Sequence, residues 1–175
     1  MHCHKRCFLF GGSMKKRKKE KKFSVGLLFP YLVFAVLLIV IDQMTKYWAQ
    51  MKLQPIGCID VIDGVFSFTY VRNTGAAFGI LQGQKWLFLI LTVLVLAAAL
   101  WYLIRNKITN PVLLISGSAV WAGAVGNLID RIRLSYVIDF LEVRFISFPV
   151  FNVADCCVVV GMIVLGFYIL RGKSK

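Results

Sequence analysis

The sequence predicts an all-α membrane protein of four transmembrane helices, with both termini cytoplasmic and a small extracytoplasmic β-sheet. Three observations carry that expectation. The 175 residues are 59% hydrophobic and only 17% charged, with a mean hydropathy of +0.75, far above the apolar share of soluble domains. Uncharged runs recur at the length a helix needs to cross a hydrocarbon core, about 20 residues. Lys and Arg gather on one side of those runs. Most of the +13 net charge lies in a short amino-terminal arm. It is not spread over a surface that could grip a phosphate backbone, which argues against a nucleic-acid partner.

Residues 1–22 carry nine bases and read as a basic cytoplasmic arm, disordered and close to anionic headgroups. Met14 offers an alternative start. His2, Cys3, His4 and Cys7 could suggest a metal site, but they crowd into one short arm of a chain with no other histidine, and no metal is expected. The membrane domain then spans 23–171, with helices expected at about 23–48, 86–104, 108–131 and 152–170. Each rests on a run that lipid would accept only as helix, because a helix satisfies its own backbone hydrogen bonds. These runs are Phe23 to Ile41, Trp86 to Ile104, Ile108 to Ile129, and Phe145 to Leu170, whose one charge is Asp155. No small-residue cleavage site follows the first run, so it is expected to stay as a helix. Bases in the arm, in the turn Arg105-Asn106-Lys107 and in the tail 172–175 set both termini in the cytoplasm.

The longer connections, on the opposite face, carry strand signals. Asp63-Gly64 separates Ile59 to Ile62 from Val65 to Val71 and predicts a hairpin. Ser135 to Phe148 alternates, setting Val137, Asp139, Leu141 and Val143 on one face and Ile138, Phe140, Glu142 and Arg144 on the other. The cysteines suggest no disulfide framework. Cys3 and Cys7 fall in the reducing compartment, Cys58 has no evident partner, and Cys156 and Cys157 read as small packing residues.

Polar residues at membrane depth are costly and mark function by default. Asp42 and Lys46, four apart, form either a helix-surface ion pair or a structural pair that fixes the helix end. Asn127, Asp130 and Arg131 can share one helix side; alternatively, Arg131 and Arg133 complement the helix's negative end. Ala119 with Gly123, and Ala122 with Gly126, let another helix approach closely. With Asn152 as a helix cap, Asp155 would sit in the first turn, where the helix dipole stabilises an anion, so capping is one reading of it. Asp139, on an apolar strand face leading into the same helix, gives it a second carboxylate. Two close carboxyls cannot both ionise, so one is a base and the other an acid, as aspartyl peptidase chemistry needs. No histidine is available there for a Ser/His or Cys/His arrangement. A proton-relay transporter using Asp139, Asp155 and Arg131, or a structural subunit, is the alternative; no inverted repeat supports the former.

Five ordered segments resemble the motifs of bacterial lipoprotein signal peptidase, also called signal peptidase II. They are Asp42-Gln43-Met44-Thr45-Lys46, Asn73-Thr74-Gly75-Ala76-Ala77-Phe78, Gly126-Asn127-Leu128-Ile129-Asp130-Arg131, Val137-Ile138-Asp139-Phe140 and Phe151-Asn152-Val153-Ala154-Asp155. The resemblance implies a multi-pass aspartyl endopeptidase of the bacterial inner membrane, active at the extracytoplasmic face and without a cofactor. It implies cleavage of prolipoproteins just before a diacylglyceryl-modified cysteine, with Asp139 and Asp155 catalytic. Asn73, Gly75, Asn127, Asp130, Arg131 and Asn152 match residues that hold the substrate, while Asp42 and Lys46 match a structural motif. Membrane lipids and globomycin-type cyclic peptides are the further partners implied. The loop from Asn73 to Phe78, with Gly75 and Gly79 as flexible points, is expected to act as a lid. Cys156-Cys157, after the second aspartate, and the long amino-terminal lead depart from the family pattern.

Overall fold

The computed structural model describes residues 24–75 and 84–172. A single 3₁₀ turn, Val25–Leu28, leads into α1, Phe29–Lys52. This helix begins later than the apolar run, because Pro30 in its first turn has no N–H to donate and belongs at a helix start. It also runs past the expected end, since Ala49 and Leu53 are buried against Ile138 and Phe140. β1, Cys58–Ile62, and β2, Phe66–Asn73, form the hairpin, with Gly64 at φ 69° in its turn. The helix α2 spans Lys85–Arg105.

The third helix, α3, covers Pro111–Leu134 and starts three residues later than expected. Asn110 caps it, its side-chain oxygen accepting from Val112 N at 2.9 Å and Leu113 N at 3.3 Å, and Pro111 fits the first turn. β3, Val137–Val143, and α4, Val153–Gly172, complete the chain. All four helices are long and apolar enough to cross a membrane. The arm 1–22, its histidines and cysteines, and residues 173–175 lie outside the described residues. Among those described, Cys58, Cys156 and Cys157 are free thiols.

The three strands form one antiparallel sheet in the order β1-β2-β3, pairing Cys58 with Thr69, Phe66 with Val143 and Asn73 with Val137. Alternation along β3 holds from Val137 to Phe140. Ile138 and Phe140 pack on α1, while Val137 and Asp139 face a cleft. All four are buried because the strand runs between the two. Phe151 returns to pair with Leu141, which delivers the chain to the start of α4.

α3 is the hub of the bundle and touches the other three helices. Its small residues make this possible. A Cβ on Gly123 would collide with the Ala154 carbonyl oxygen and lie 2.8 Å from Val158 Cγ2, and one on Gly126 would lie 2.5 Å from Asp42 Oδ2. The expectation that this stripe admits a neighbouring helix is met on two sides, by α4 and by α1. Gly123→Ala should therefore lower thermal stability in detergent by about 1–3 kcal/mol through overpacking. Gly117→Ala, with open space around it, should be neutral or gain about 0.5–1 kcal/mol from helix propensity. Equal unfolding temperatures for the two variants would contradict this packing.

Candidate active site

The site is built on a buried ion cluster. Lys46 Nζ lies 3.0 Å from Asp42 Oδ2 and 3.0 Å from Asp130 Oδ2, with all three side chains at most 3% exposed. Asp42 and Lys46 stand one turn apart on α1 and Asp130 projects from α3, so the ammonium clamps the two helices. Each carboxylate also receives a backbone donor: Ala154 N reaches Asp42 Oδ1 at 2.9 Å and Ile138 N reaches Asp130 Oδ2 at 3.2 Å. These bonds bring in α4 and β3. Gln43 Nε2 donates to Asp42 Oδ2 and Asp130 Oδ1, both at 3.1 Å. The Asp42 and Lys46 pair is thus buried and not on the helix surface, and the structural reading holds in a wider form, since Asp130 joins it in a clasp that ties α1 to α3.

Lys46 orients the next layer. An ammonium can only donate, so its 2.8 Å bond to Asn127 Oδ1 turns the Asn127 amide nitrogen toward Asp155 Oδ1, at 2.8 Å. Asn152 Nδ2 donates to the same Asn127 oxygen at 3.1 Å and to Asp139 Oδ1 at 2.6 Å. Asn152 and Asp155 also cap α4 reciprocally. Asp155 N donates to Asn152 Oδ1 at 3.0 Å, and Asn152 N donates to Asp155 Oδ2 at 3.1 Å. The capping reading of Asp155 therefore holds, and the cap itself aims the carboxylate.

Asp139 is fixed from its other side by Asn73, whose Nδ2 donates to Oδ2 at 2.9 Å. Asn73 Oδ1 accepts from Gly75 N at 3.0 Å. Arg131 Nη2 donates to the Gly75 carbonyl at 3.4 Å and its guanidinium lies 5.1 Å from the Phe88 ring centre. Asp139 and Asp155 border one cleft of about 420 Å³, together with Asn73, Gly75, Asn127 and Arg131. Burial raises the Asp139 carboxyl from its ordinary 3.8 to about 6. The nearby charge of Asp155 adds to that rise, while the donors Asn73 and Asn152 oppose it.

Six of the eight residues expected at the site thus line the cleft. Asn152, 0% exposed, instead supports both aspartates from behind, and Asp130 faces the Lys46 cluster. Both stand off the cleft because their polar atoms are used by buried neighbours. Both arginines lie in the last turn of α3, as the helix-end reading expects; Arg131 also turns into the cleft, whereas Arg133 borders a small recess against α1. The proposed lid passes at Ala76 into residues outside those described, which also include Phe78 and Gly79. Gln43 was not singled out from the sequence, though it sits between the two flagged residues of its motif. Phe88 and Thr92 of α2 were also missed. Thr92 is the only Ser or Thr in the uncharged span from Trp86 to Ile104, a faint but readable signal.

A family model described as signal peptidase (SPase) II matches residues 34–171. A lipoprotein signal peptidase of Streptococcus thermophilus is 47% identical over 128 residues, covering 73% of this chain and 84% of that protein. One from Clostridioides difficile is 42% identical over 150 residues, covering 83% and 97%. A solved structure described as a bacterial membrane enzyme, determined in meso at 2.3 Å resolution, superposes with a TM-score of 0.77 at 34% identity, covering 88% of this chain and 93% of that one.

Removing the central ammonium leaves two buried carboxylates without their countercharge. Lys46→Met should destabilise the protein by about 3–5 kcal/mol, seen as a lower unfolding temperature in detergent. Adding Asp42→Asn should recover part of the loss. A single variant that melts with the wild type would disprove the clasp.

Proposed function

Because this chain belongs to the signal peptidase II family, we propose that Asp139 and Asp155 are the catalytic dyad of an aspartic peptidase that removes signal peptides from prolipoproteins. We further propose cleavage of the bond that precedes the diacylglyceryl-modified cysteine. The observation that carries this reading is the shared cleft. Two carboxylates from different elements border it, each held by an asparagine amide, with Asn127 and Asn152 hydrogen-bonded to each other.

Asp139, which burial keeps protonated up to about pH 6, takes the part of the acid, and Asp155 that of the base. Asp155 removes a proton from a water that adds to the scissile carbonyl carbon, while Asp139 donates its proton to the carbonyl oxygen. In the collapse of the resulting diol, the C–N bond breaks and Asp155 passes its proton to the leaving nitrogen. A diol hydroxyl returns a proton to Asp139, restoring the dyad. Asn73, Gly75, Asn127 and Arg131 would hold the substrate backbone. Asn152 and Asp130 would serve the site through the groups they fix. Cyclic peptides of the globomycin type would occupy the same cleft.

The sheet end of the bundle would face the extracytoplasmic side of the inner membrane, with the basic arm and tail in the cytoplasm. The distribution of Lys and Arg supports this. A lipidated substrate keeps its acyl chains in the bilayer, so its scissile bond can be offered only near the membrane surface. Asp155 in the first turn of a spanning helix suits that depth.

Asp139→Asn and Asp155→Asn should each lower kcat on a lipidated prolipoprotein by about 10²–10⁴-fold with the unfolding temperature little changed. Normal cleavage by either variant would remove the dyad. The acid must carry its proton in the free enzyme, so kcat/KM should fall as pH rises through about 6, by about tenfold per unit beyond it. A profile still rising across that range would show that the deprotonated form of Asp139 is the active one.

A further inference from the structure

The four spanning helices contain four Ser and Thr hydroxyls: Thr45 in α1, Thr92 in α2, and Ser116 and Ser118 in α3. Three of them bond to a carbonyl of their own helix. Thr45 reaches Ile41 O and Asp42 O, Ser116 reaches Val112 O, and Ser118 reaches Leu114 O, at 2.7–3.0 Å. That is the ordinary way to satisfy a hydroxyl in lipid. Thr92 differs, because among the described residues its side chain has no hydrogen-bond partner. Thr92 is half-exposed, so its hydroxyl is open to the cleft and free to meet a ligand.

Thr92 borders the catalytic cleft. It stands seven residues into α2, about 10 Å from the helix start, one turn beyond Phe88, whose ring meets Arg131. Asn127 lies seven residues from the end of α3, at a similar depth. The other residues that α3 and α4 give to the cleft lining include Ala124, Val158 and Val159, which neither donate nor accept through their side chains. The described lining thus joins polar side chains beside the aspartates to an apolar part drawn from α3 and α4, and Thr92 of α2 supplies its one hydroxyl.

We infer that Thr92 is a substrate-positioning residue whose hydroxyl donates to a carbonyl of the lipidated substrate seated in the apolar part of the cleft. This rests on the proposed function. Two carbonyls would lie within reach of that depth: an ester of the diacylglyceryl group, and a peptide carbonyl of the signal sequence. The shared chemistry is a neutral oxygen acceptor. The contact is made on binding and is not part of proton transfer, so it acts on KM.

The test uses purified full-length protein in lipid nanodiscs, with a prolipoprotein bearing either the diacylglyceryl ester or a dialkylglyceryl ether in its place. Thr92→Val, which keeps the shape and removes the hydroxyl, should raise KM about fivefold on the ester substrate with kcat little changed. Thr92→Ser should restore it. If the ester is the acceptor, the ether substrate should raise the wild-type KM and make Thr92→Val silent. If a peptide carbonyl is the acceptor, the variant should lose the same factor on both. Thr92→Val matching wild type on the ester substrate, or Thr92→Ser failing to restore, would overturn the inference alone. A wild-type protein that releases no signal peptide would overturn the proposed function and this inference with it.

Discussion

One buried ammonium governs how this molecule is put together. Lys46 Nζ sits 3.0 Å from carboxylates on two helices and 2.8 Å from Asn127 Oδ1. The carboxylates it neutralises accept the backbone N–H groups of Ala154 and Ile138, which are the entry to α4 and the start of β3. The same charge that joins the helices therefore sets the two segments that carry the aspartates. Burying three charges is expensive in itself. Here the geometry is used for placement, since a chain of fixed donors runs from Lys46 through Asn127 and Asn152 to both carboxyls.

This interior is polar where a soluble protein's would be apolar. Asp42, Lys46, Ser67, Asp130, Asp139 and Asn152 are all buried, while large apolar side chains such as Leu32, Ile90, Leu94, Val160 and Ile163 face outward. In a bilayer, apolar burial between helices gains little, and close packing with hydrogen bonds holds the bundle instead. The small faces of α3 allow that approach. The helix α2, which buries none of its residues, is attached at its first turn through Lys85 to Ser135 and Phe88 to Arg131.

The sheet supplies the remaining wall of the cleft. Asn73 ends β2 and Asp139 lies within β3, and an irregularity between Phe68 and Val71 shifts the register before their region is reached. Away from the site, Ser67 and Thr69 both donate to Glu142 Oε2, which holds its carboxyl below the usual range, and Arg144 ties Glu142 to Asp60. Those bonds stiffen the far end of the hairpin. Trp48 of α1 packs edge-on against Phe68 and Phe140, fixing the sheet to the bundle.

Four spans, the hairpin and the third strand were legible from the sequence because each depends on local pattern: apolar run length, a turn pair and alternation. The candidate aspartates were legible for a similar reason, since carboxylates are rare at membrane depth and histidine is missing beside them. Helix ends were read less well, as Pro30 and Pro111 delay two starts and contact with Ile138 and Phe140 carries α1 on to Lys52. What only the tertiary structure decided was the division of labour among the polar residues. Asp130, three residues from Asn127 and one from Arg131, was grouped with them as a substrate contact, yet it closes an ion cluster. Asn152 stands behind the cleft, and Thr92 stands in it. Such roles turn on which donor meets which acceptor between α1, α2, α3, α4 and β3, and residues far apart in the chain acquire partners only when those elements pack.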